Sequence, residues 1–229
     1  MLERQVAILI DGSFFLKRYY HTFGKGKVHT PQQVVKNLHW MCSRHLTDKK
    51  TKKKDELFRL YYYDCPPLSK KVHNPLTKRA IDLGKSDLAI FQYQFLDLLK
   101  RSRKLALRLG YLKDSKNWVI NPRKTKDLLN GKIALADLQE SDIRLEVNQK
   151  SVDIKIGVDI TSLALKRQVQ RIILVSGDAD FVPAAKLARR EGIDFVLDPM
   201  WNPINEDLYE HIDGLSSVCP KPAHLQKKN

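Results

Sequence analysis

The stretch ILVSGDADFVPAAKLARREGIDFVL, residues 173–197, decides the fold of this chain. It opens with an apolar run, ends with a second apolar run after Gly192, and carries apolar residues at helical spacing between the two. Alternation of strand, helix and strand over so short a distance indicates a parallel crossover. The stretch therefore predicts an α/β protein with a central, mostly parallel sheet.

Other segments supply further elements of the same architecture. Residues 6–10 form a continuous aliphatic run, as a strand buried on both faces does. Leu57 to Tyr63 and Leu105 to Leu109 are further strand candidates, as are residues 118–120 and 143–147. Helices are predicted from Pro31 with Thr30 as cap, from Asp87 as cap to Leu99, and from Ser151 as cap to about Gln168. We expect a Rossmann-like three-layer sandwich with helices on both faces of the sheet.

We expect one domain over residues 1–215, followed by a basic tail at 216–229 that is frayed from Pro220 onward. Within the domain, residues 66–86 are rich in lysines and turn formers and read as a basic loop or lid. An insertion with no clear pattern falls near residues 111–147. The charge run at 48–56 is expected to be an exposed loop.

The composition points to a polyanionic partner. The chain has 41 Lys and Arg against 26 Asp and Glu, a formal net charge of +15. Such an excess favours RNA, DNA or an anionic membrane surface, and charge alone does not choose among them. The three cysteines are far apart in sequence, which argues against a disulfide framework or a structural zinc site. No apolar run is long enough for a signal peptide or a membrane span, so the sequence predicts a cytoplasmic protein without membrane contact.

Four aspartates are placed where an open parallel sheet gathers its functional groups. Asp11 directly follows the first predicted strand, and Asp178 and Asp180 follow the strand at 172–176. Asp153 falls in the first turn of a predicted helix. The carboxyl ends of parallel strands share one edge, so these side chains are expected to lie close together. Crowded carboxylates take up protons unless a cation compensates, and hard oxygen ligands suit Mg²⁺ or Mn²⁺. Such a site would serve hydrolysis of a phosphate ester.

Each aspartate also has a purely structural interpretation. Asp11 would cap a helix, Asp178 and Asp180 would form a capped turn, and Asp153 would complement a helix dipole. Asp159 lies about 120° around the predicted helix from Asp153, by the usual angle per residue, and is less suited to the same cleft.

Three blocks together resemble the NYN family, in particular its LabA-like branch, within the wider PIN-like nuclease group. They are VAILIDGSFFLKR at 6–18, KSVDIKIGVDI at 150–160 and the block at 173–197. The resemblance implies a metal-dependent ribonuclease. By position it places the metal-binding and catalytic acids at Asp11, Asp153, Asp178 and Asp180, and it makes Ser176 and Asp159 candidates for supporting them.

Two positions depart from the family pattern. Many NYN members carry an asparagine where this chain has Phe14, and Ser13 could supply a compensating hydroxyl. Ser151 stands where a glycine between lysine and valine is more common.

A nuclease must also hold a polyanion over its acidic centre. Lys17, Arg18 and Lys150 flank the acidic motifs and are the predicted RNA contacts. Lys186, Arg189 and Arg190 follow the last acidic pair and could join them. Solvated helix faces explain the same residues equally well, and a homodimer is left open.

The leading hypothesis is an endoribonuclease, with RNA as partner and Mg²⁺ or Mn²⁺ as cofactor. One rival is a catalytically silent RNA-binding or regulatory module that retains the fold. A second rival is another Rossmannoid phosphoesterase. A haloacid-dehalogenase-type enzyme would need a second acid at the position of Ser13, which disfavours that rival.

Overall fold

The computed structural model describes residues 4–24, 28–47, 53–222 and 225. Its strands are β1 (Gln5–Asp11), β2 (Glu56–Asp64), β3 (Lys71–His73), β4 (Ala80–Asp82), β5 (Leu105–Leu109), β6 (Tyr111–Ile120), β7 (Ile143–Lys150), β8 (Arg171–Val175), β9 (Asp194–Asp198) and β10 (Gly214–Leu215). Its α-helices are α1 (Gly12–Thr22), α2 (Pro31–His45), α3 (Asp87–Lys100), α4 (Pro122–Leu129), α5 (Val152–Leu165), α6 (Val182–Arg190) and α7 (Glu206–Glu210). No helix within the described ranges is long and apolar enough to cross a bilayer.

Six strands form one parallel sheet in the order β10-β9-β8-β1-β2-β5. β1 lies between β8 and β2, with Ile10 beside Val175 and Asp11 beside Tyr63. The strands run in the same direction, so the carboxyl ends of these three neighbours meet at one edge. This register brings the residues that follow each strand together, as the sequence predicts.

The sheet is covered on both faces, which confirms the predicted α/β sandwich. Ala7 and Leu9 of β1 pack into a core with residues of α5 and α6. Their neighbours Val6, Ile8 and Ile10 pack into a second core with residues of α1, α2 and α3. Alternate side chains of a strand point to opposite faces, so one continuous apolar run serves both layers. The two cores hold β1 rigidly, and with it the first residue after the strand.

The two irregular stretches contain ordered strands. Residues 66–86, expected as a basic loop or lid, contain the antiparallel pair β3–β4 and a 3₁₀ helix at Leu83–Lys85. In the predicted insertion, β6 and β7 form a longer antiparallel ribbon with α4 between them. Strands of three residues are too short to show an alternating pattern, and the charged residues of β6 obscure its alternation.

The four predicted helices are present as α2, α3, α5 and α6, with differences at some of their ends, whereas α1, α4 and α7 were not predicted. Thr30 and Gln33 form a capping box at α2. At α3 the cap is Ser86 and not Asp87, because the Ser86 hydroxyl accepts the Ala89 N–H. The helix after Ser151 ends at Leu165, three residues before the predicted end, and α6 begins at Val182 after a 3₁₀ turn. Residues 48–52 of the predicted charged loop and most of the tail after Pro222 lie outside the described residues.

Candidate acidic active site

Asp11 is the most buried of the four predicted site aspartates. Its side chain caps α1, where Oδ1 accepts hydrogen bonds from the Phe14 N–H and the Ser13 hydroxyl, both at 3.1 Å. Only 8% of the residue is exposed. Burial raises the pKa of Asp11 above its ordinary value, the two hydrogen bonds oppose the rise, and the negative charge of Asp153 adds to it. The carboxylate is therefore held in one orientation in a place that disfavours its charge.

The segment after β8 carries two exposed aspartates on a tight turn. Asp178 caps a 3₁₀ helix at Ala179–Phe181, and its Oδ1 accepts the Asp180 N–H at 3.0 Å. The buried Ser176 hydroxyl accepts the Asp178 N–H at 3.3 Å. Asp11, Ser13, Ser176 and Asp178 line one cleft of about 520 Å³. Ser13 and Ser176 thus lie beside the aspartates that they were predicted to support.

Asp153 joins this group from α5, which packs on the face of the sheet opposite to α1. It is exposed in the first turn of α5 and lines a depression of about 800 Å³ together with Asp180. Ala179 borders both this depression and the cleft that contains Asp11. Partial burial raises the pKa of Asp153, and the charges of Asp178 and Asp180 raise it further. The four aspartates therefore converge around Ala179 and interact electrostatically.

The four aspartate side chains form an open arrangement and do not enclose a single point. Within the described ranges, the one group of three potential ligands whose atoms all lie within 4.8 Å is Asp207, Glu210 and His211. No three of the four site aspartates reach that spacing. An open set of carboxylates fits Mg²⁺ or Mn²⁺, since Mg²⁺ keeps several waters and takes one or two protein carboxylates. Mutual repulsion at Asp11 and Asp153 is the electrostatic condition that a bound cation would relieve.

Asp64 is a carboxylate that the sequence reading missed. It ends β2 beside the end of β1, and 6% of it is exposed. Its Oδ1 accepts the Cys65 N–H and its Oδ2 accepts the Gln92 side-chain N–H, both at 2.7 Å. Burial raises the pKa of Asp64 to about 6, and the charge of Asp11 contributes to the rise. Its position directly after the predicted strand Leu57 to Tyr63 was the available signal.

Two further positions singled out in the sequence are Asp159 and Phe14, and both pack against neighbouring residues. Asp159 does not line the acidic cleft, because its Oδ2 accepts hydrogen bonds from the Tyr63 hydroxyl at 2.9 Å and the Arg108 guanidinium at 3.0 Å. The Phe14 ring packs so closely on Gly177 that an added Cβ there would lie 2.9 Å from it. Asn202 and Asn205 line the same cleft and provide amide groups that position 14 does not.

The basic residues divide between two ends of the sheet. Lys17 and Arg18 line the cleft with Asp11, although the Arg18 guanidinium also donates to the Met200 carbonyl oxygen at 3.0 Å. Lys150 is exposed just before α5 and is not among the described residues that line either depression. Lys186, Arg189 and Arg190 line a separate depression beside Asp194, where β9 begins. They therefore lie toward the amino end of the sheet and do not surround the acidic centre.

Comparison with known protein families agrees with this geometry. Residues 93–202 match the model of the NYN domain. The matched stretch is 110 of the 229 residues, a little under half of the chain. NYN domains belong to the PIN-like nuclease group. The match includes Asp153, Asp178 and Asp180, begins after Asp11, and does not resolve the LabA-like branch, which stays a prediction.

Wider comparisons add little. A crystal structure of a protein of unknown function from Vibrio parahaemolyticus is 15% identical, with a TM-score of 0.48 over 94% of this chain and 93% of that one. No curated protein matches the sequence significantly.

Ser151, the residue before α5, has a backbone conformation that favours glycine. Ser151 has φ of 70° and makes no side-chain cap at α5. A left-handed backbone costs a residue with a Cβ about 1–2 kcal/mol. We expect Ser151→Gly to stabilise the fold by about 1 kcal/mol, which for a chain of this size raises Tm by about 2–4 °C. Thermal unfolding of Ser151→Ala is the matched control, because alanine keeps the strain; an equal gain from both variants would contradict this explanation.

Proposed function

We propose that this protein is a metal-dependent endoribonuclease that hydrolyses RNA phosphodiester bonds and uses Mg²⁺ or Mn²⁺. Asp11, Asp153, Asp178 and Asp180 would hold the cation and serve as the catalytic acids. The observation that carries the proposal is their convergence around Ala179, where Asp153 interacts electrostatically with each of the other three. Without a cation, a fold that gathers four carboxylates at one sheet edge is destabilised by their repulsion.

The chain's own residues divide the remaining work. Asp11 is fixed by two hydrogen bonds and by burial, so it presents its second oxygen, Oδ2, in a defined orientation. Asp178 and Asp180 are exposed, and their turn is tied to the sheet through the buried Ser176. A bound divalent cation would supply Lewis-acid activation of water and neutralisation of charge at phosphorus. No serine, cysteine or histidine nucleophile is required.

Substrate binding rests on the charge around the cleft. Lys17 and Arg18 lie on its α1 side, with His21 one turn further along the helix. The net charge of +15 provides the long-range attraction that brings a polyanion to an acidic centre. Neutralisation of phosphates by these side chains releases counterions, so RNA binding should weaken as salt is raised. Lys150, which is exposed just before α5, is proposed to contact the RNA strand outside the cleft.

The test is a cleavage assay with the full chain. End-labelled single-stranded RNA is incubated with Mn²⁺, Mg²⁺ or EDTA, beside a DNA oligonucleotide of the same sequence. The proposal predicts internal cleavage of RNA with either cation and none with EDTA. RNA binding without cation-dependent products would instead indicate the catalytically silent RNA-binding module, a reading consistent with the capping roles of Asp11 and Asp178. Cleavage that persists in EDTA would contradict the metal mechanism.

A further inference from the structure

A second cavity lies beside the acidic cleft. It has a volume of about 390 Å³, within the usual range for small-ligand sites. Its walls are mainly apolar and come from the loop after β2, the 3₁₀ helix at Leu83–Lys85, α3 and the β6–β7 ribbon: Pro67, Leu68, Leu83, Leu88, Leu112 and Val147. Leu88 stands on the rim with 76% of its surface exposed. An apolar cavity of this volume can take an aromatic ring.

The cavity is continuous with the proposed catalytic site. Ser13, whose hydroxyl donates to Asp11, borders both the cleft and the cavity. Asp64 lies in the cavity wall at the end of β2, the strand next to β1. The carboxylates of Asp64 and Asp11 are close enough for the charge of one to affect the other. A group held in the cavity would therefore belong to a molecule that also reaches the acidic centre.

The cavity has hydrogen-bonding groups with unused capacity. Each oxygen of Asp64 accepts one hydrogen bond within the protein and has a second lone pair to offer. The Gln149 side chain lies against the Cys65 thiol, a weak acceptor. Its Nε2 is buried without a hydrogen-bond partner of normal geometry in the described chain. An acceptor and an unsatisfied donor inside an apolar cavity are the groups that read the edge of a nucleobase.

We propose that this cavity binds one unpaired nucleobase of the RNA strand whose phosphate enters the acidic cleft. The inference rests on the proposed function and deepens it, because it makes single-stranded RNA the substrate class. The base would pack between aliphatic side chains such as Leu88 and Leu112, with Asp64 and Gln149 facing its hydrogen-bonding edge. A base within a duplex has its edge occupied and its faces stacked, and it could not enter the cavity.

The test measures binding in EDTA, so that cleavage cannot intervene. Fluorescence anisotropy gives Kd values of the full chain for a labelled RNA octamer, for its duplex, and for an octamer with the same backbone but no bases. Leu88→Ser removes the rim contact without adding charge, and Gln149→Leu removes the donor at similar volume. Leu129→Ser is the matched control, since Leu129 is 83% exposed and does not line the cavity.

We expect each cavity variant to weaken binding of the intact octamer about fivefold to tenfold, as loss of an apolar contact or a hydrogen bond would. Binding of the base-free octamer and of the duplex should be unchanged, and so should binding by Leu129→Ser. The salt dependence of binding should also stay the same, because no phosphate contact is lost.

Equal effects on the intact and base-free octamers, or no effect of either cavity variant, would overturn the inference. So would absence of RNA binding altogether. The cleavage assay separates this inference from the proposed function. Base-dependent binding without cation-dependent cleavage would leave the cavity assignment standing and reject the enzyme. Cation-dependent cleavage together with unchanged RNA binding by the cavity variants would support the enzyme and reject the cavity assignment.

Discussion

Asp178→Asn is expected to lower RNA cleavage by more than about 100-fold while the protein stays folded. Loss of residues that merely support metal ligands typically costs 10–100-fold, so loss of a ligand's charge should exceed that range. Folding should survive because the role of Asp178 in the turn needs only an acceptor oxygen. Its Oδ1 accepts the Asp180 N–H, and asparagine supplies the same atom in the same place. The substitution therefore removes the charge and keeps the cap.

Asp82→Asn is the matched control for this variant. Asp82 caps the 3₁₀ helix at Leu83–Lys85 by accepting the Gly84 N–H, as Asp178 caps its own 3₁₀ turn. Initial rates of the two variants and the wild type, purified in parallel, are compared in Mn²⁺, with circular dichroism as the check on folding. Retained cleavage by Asp178→Asn at the wild-type rate would contradict the proposed role of this aspartate.

Asp64→Asn is expected to stabilise the fold at pH 8, by up to about 3 kcal/mol. Burial raises the pKa of Asp64 from 3.8 to about 6. The folded protein therefore binds this proton more tightly than the unfolded chain does. As pH rises from about 4 through 6, the charged form must be accommodated in the buried position, and stability is lost at about 1.4 kcal/mol per unit of pKa difference. The neutral amide avoids this cost.

The measurement is urea unfolding at pH 8 and at pH 4, in EDTA. The gain should be nearly complete above pH 7 and small near pH 4, where the folded state keeps Asp64 protonated and the unfolded chain is only partway through losing the proton. Gln92 can rotate its amide to present oxygen to the new asparagine amide group, so both hydrogen bonds at the site can be kept. Asp97→Asn, at an exposed position of α3, is the control and should change stability by less than about 0.5 kcal/mol. A pH-independent effect of Asp64→Asn would contradict this assignment.

The sequence predicts the sheet well because its central strands are long aliphatic runs. Residues 6–10 and 172–175 are buried on both faces, and a run of this kind has few alternatives to a parallel strand. The sequence does not give the strand order; the structure does, and it places the residues after β1 and β8 side by side. The short strands β3 and β4 were missed because three residues carry no periodic signal.

The contact partners of the side chains could not be predicted from the sequence. Asp11, Asp64 and Asp198 each end a buried strand, so sequence position alone does not separate their roles. In the structure, Asp198 is fully buried with its Oδ2 2.8 Å from His45 Nε2, a contact between residues 153 positions apart. Asp11 instead faces an open cleft. Only tertiary contacts, set by the packing of α2 against the sheet, distinguish an aspartate in an internal hydrogen bond from a candidate ligand.

The central claim is that the four converging aspartates bind a divalent cation, and crystals soaked in Mn²⁺ test it most directly. The anomalous difference map should show a peak among Asp11, Asp153, Asp178 and Asp180, and the peak should disappear in Asp178→Asn crystals. The described chain offers one competing group of ligands, Asp207, Glu210 and His211. A peak at that group alone, or no peak at the four aspartates, would contradict the account.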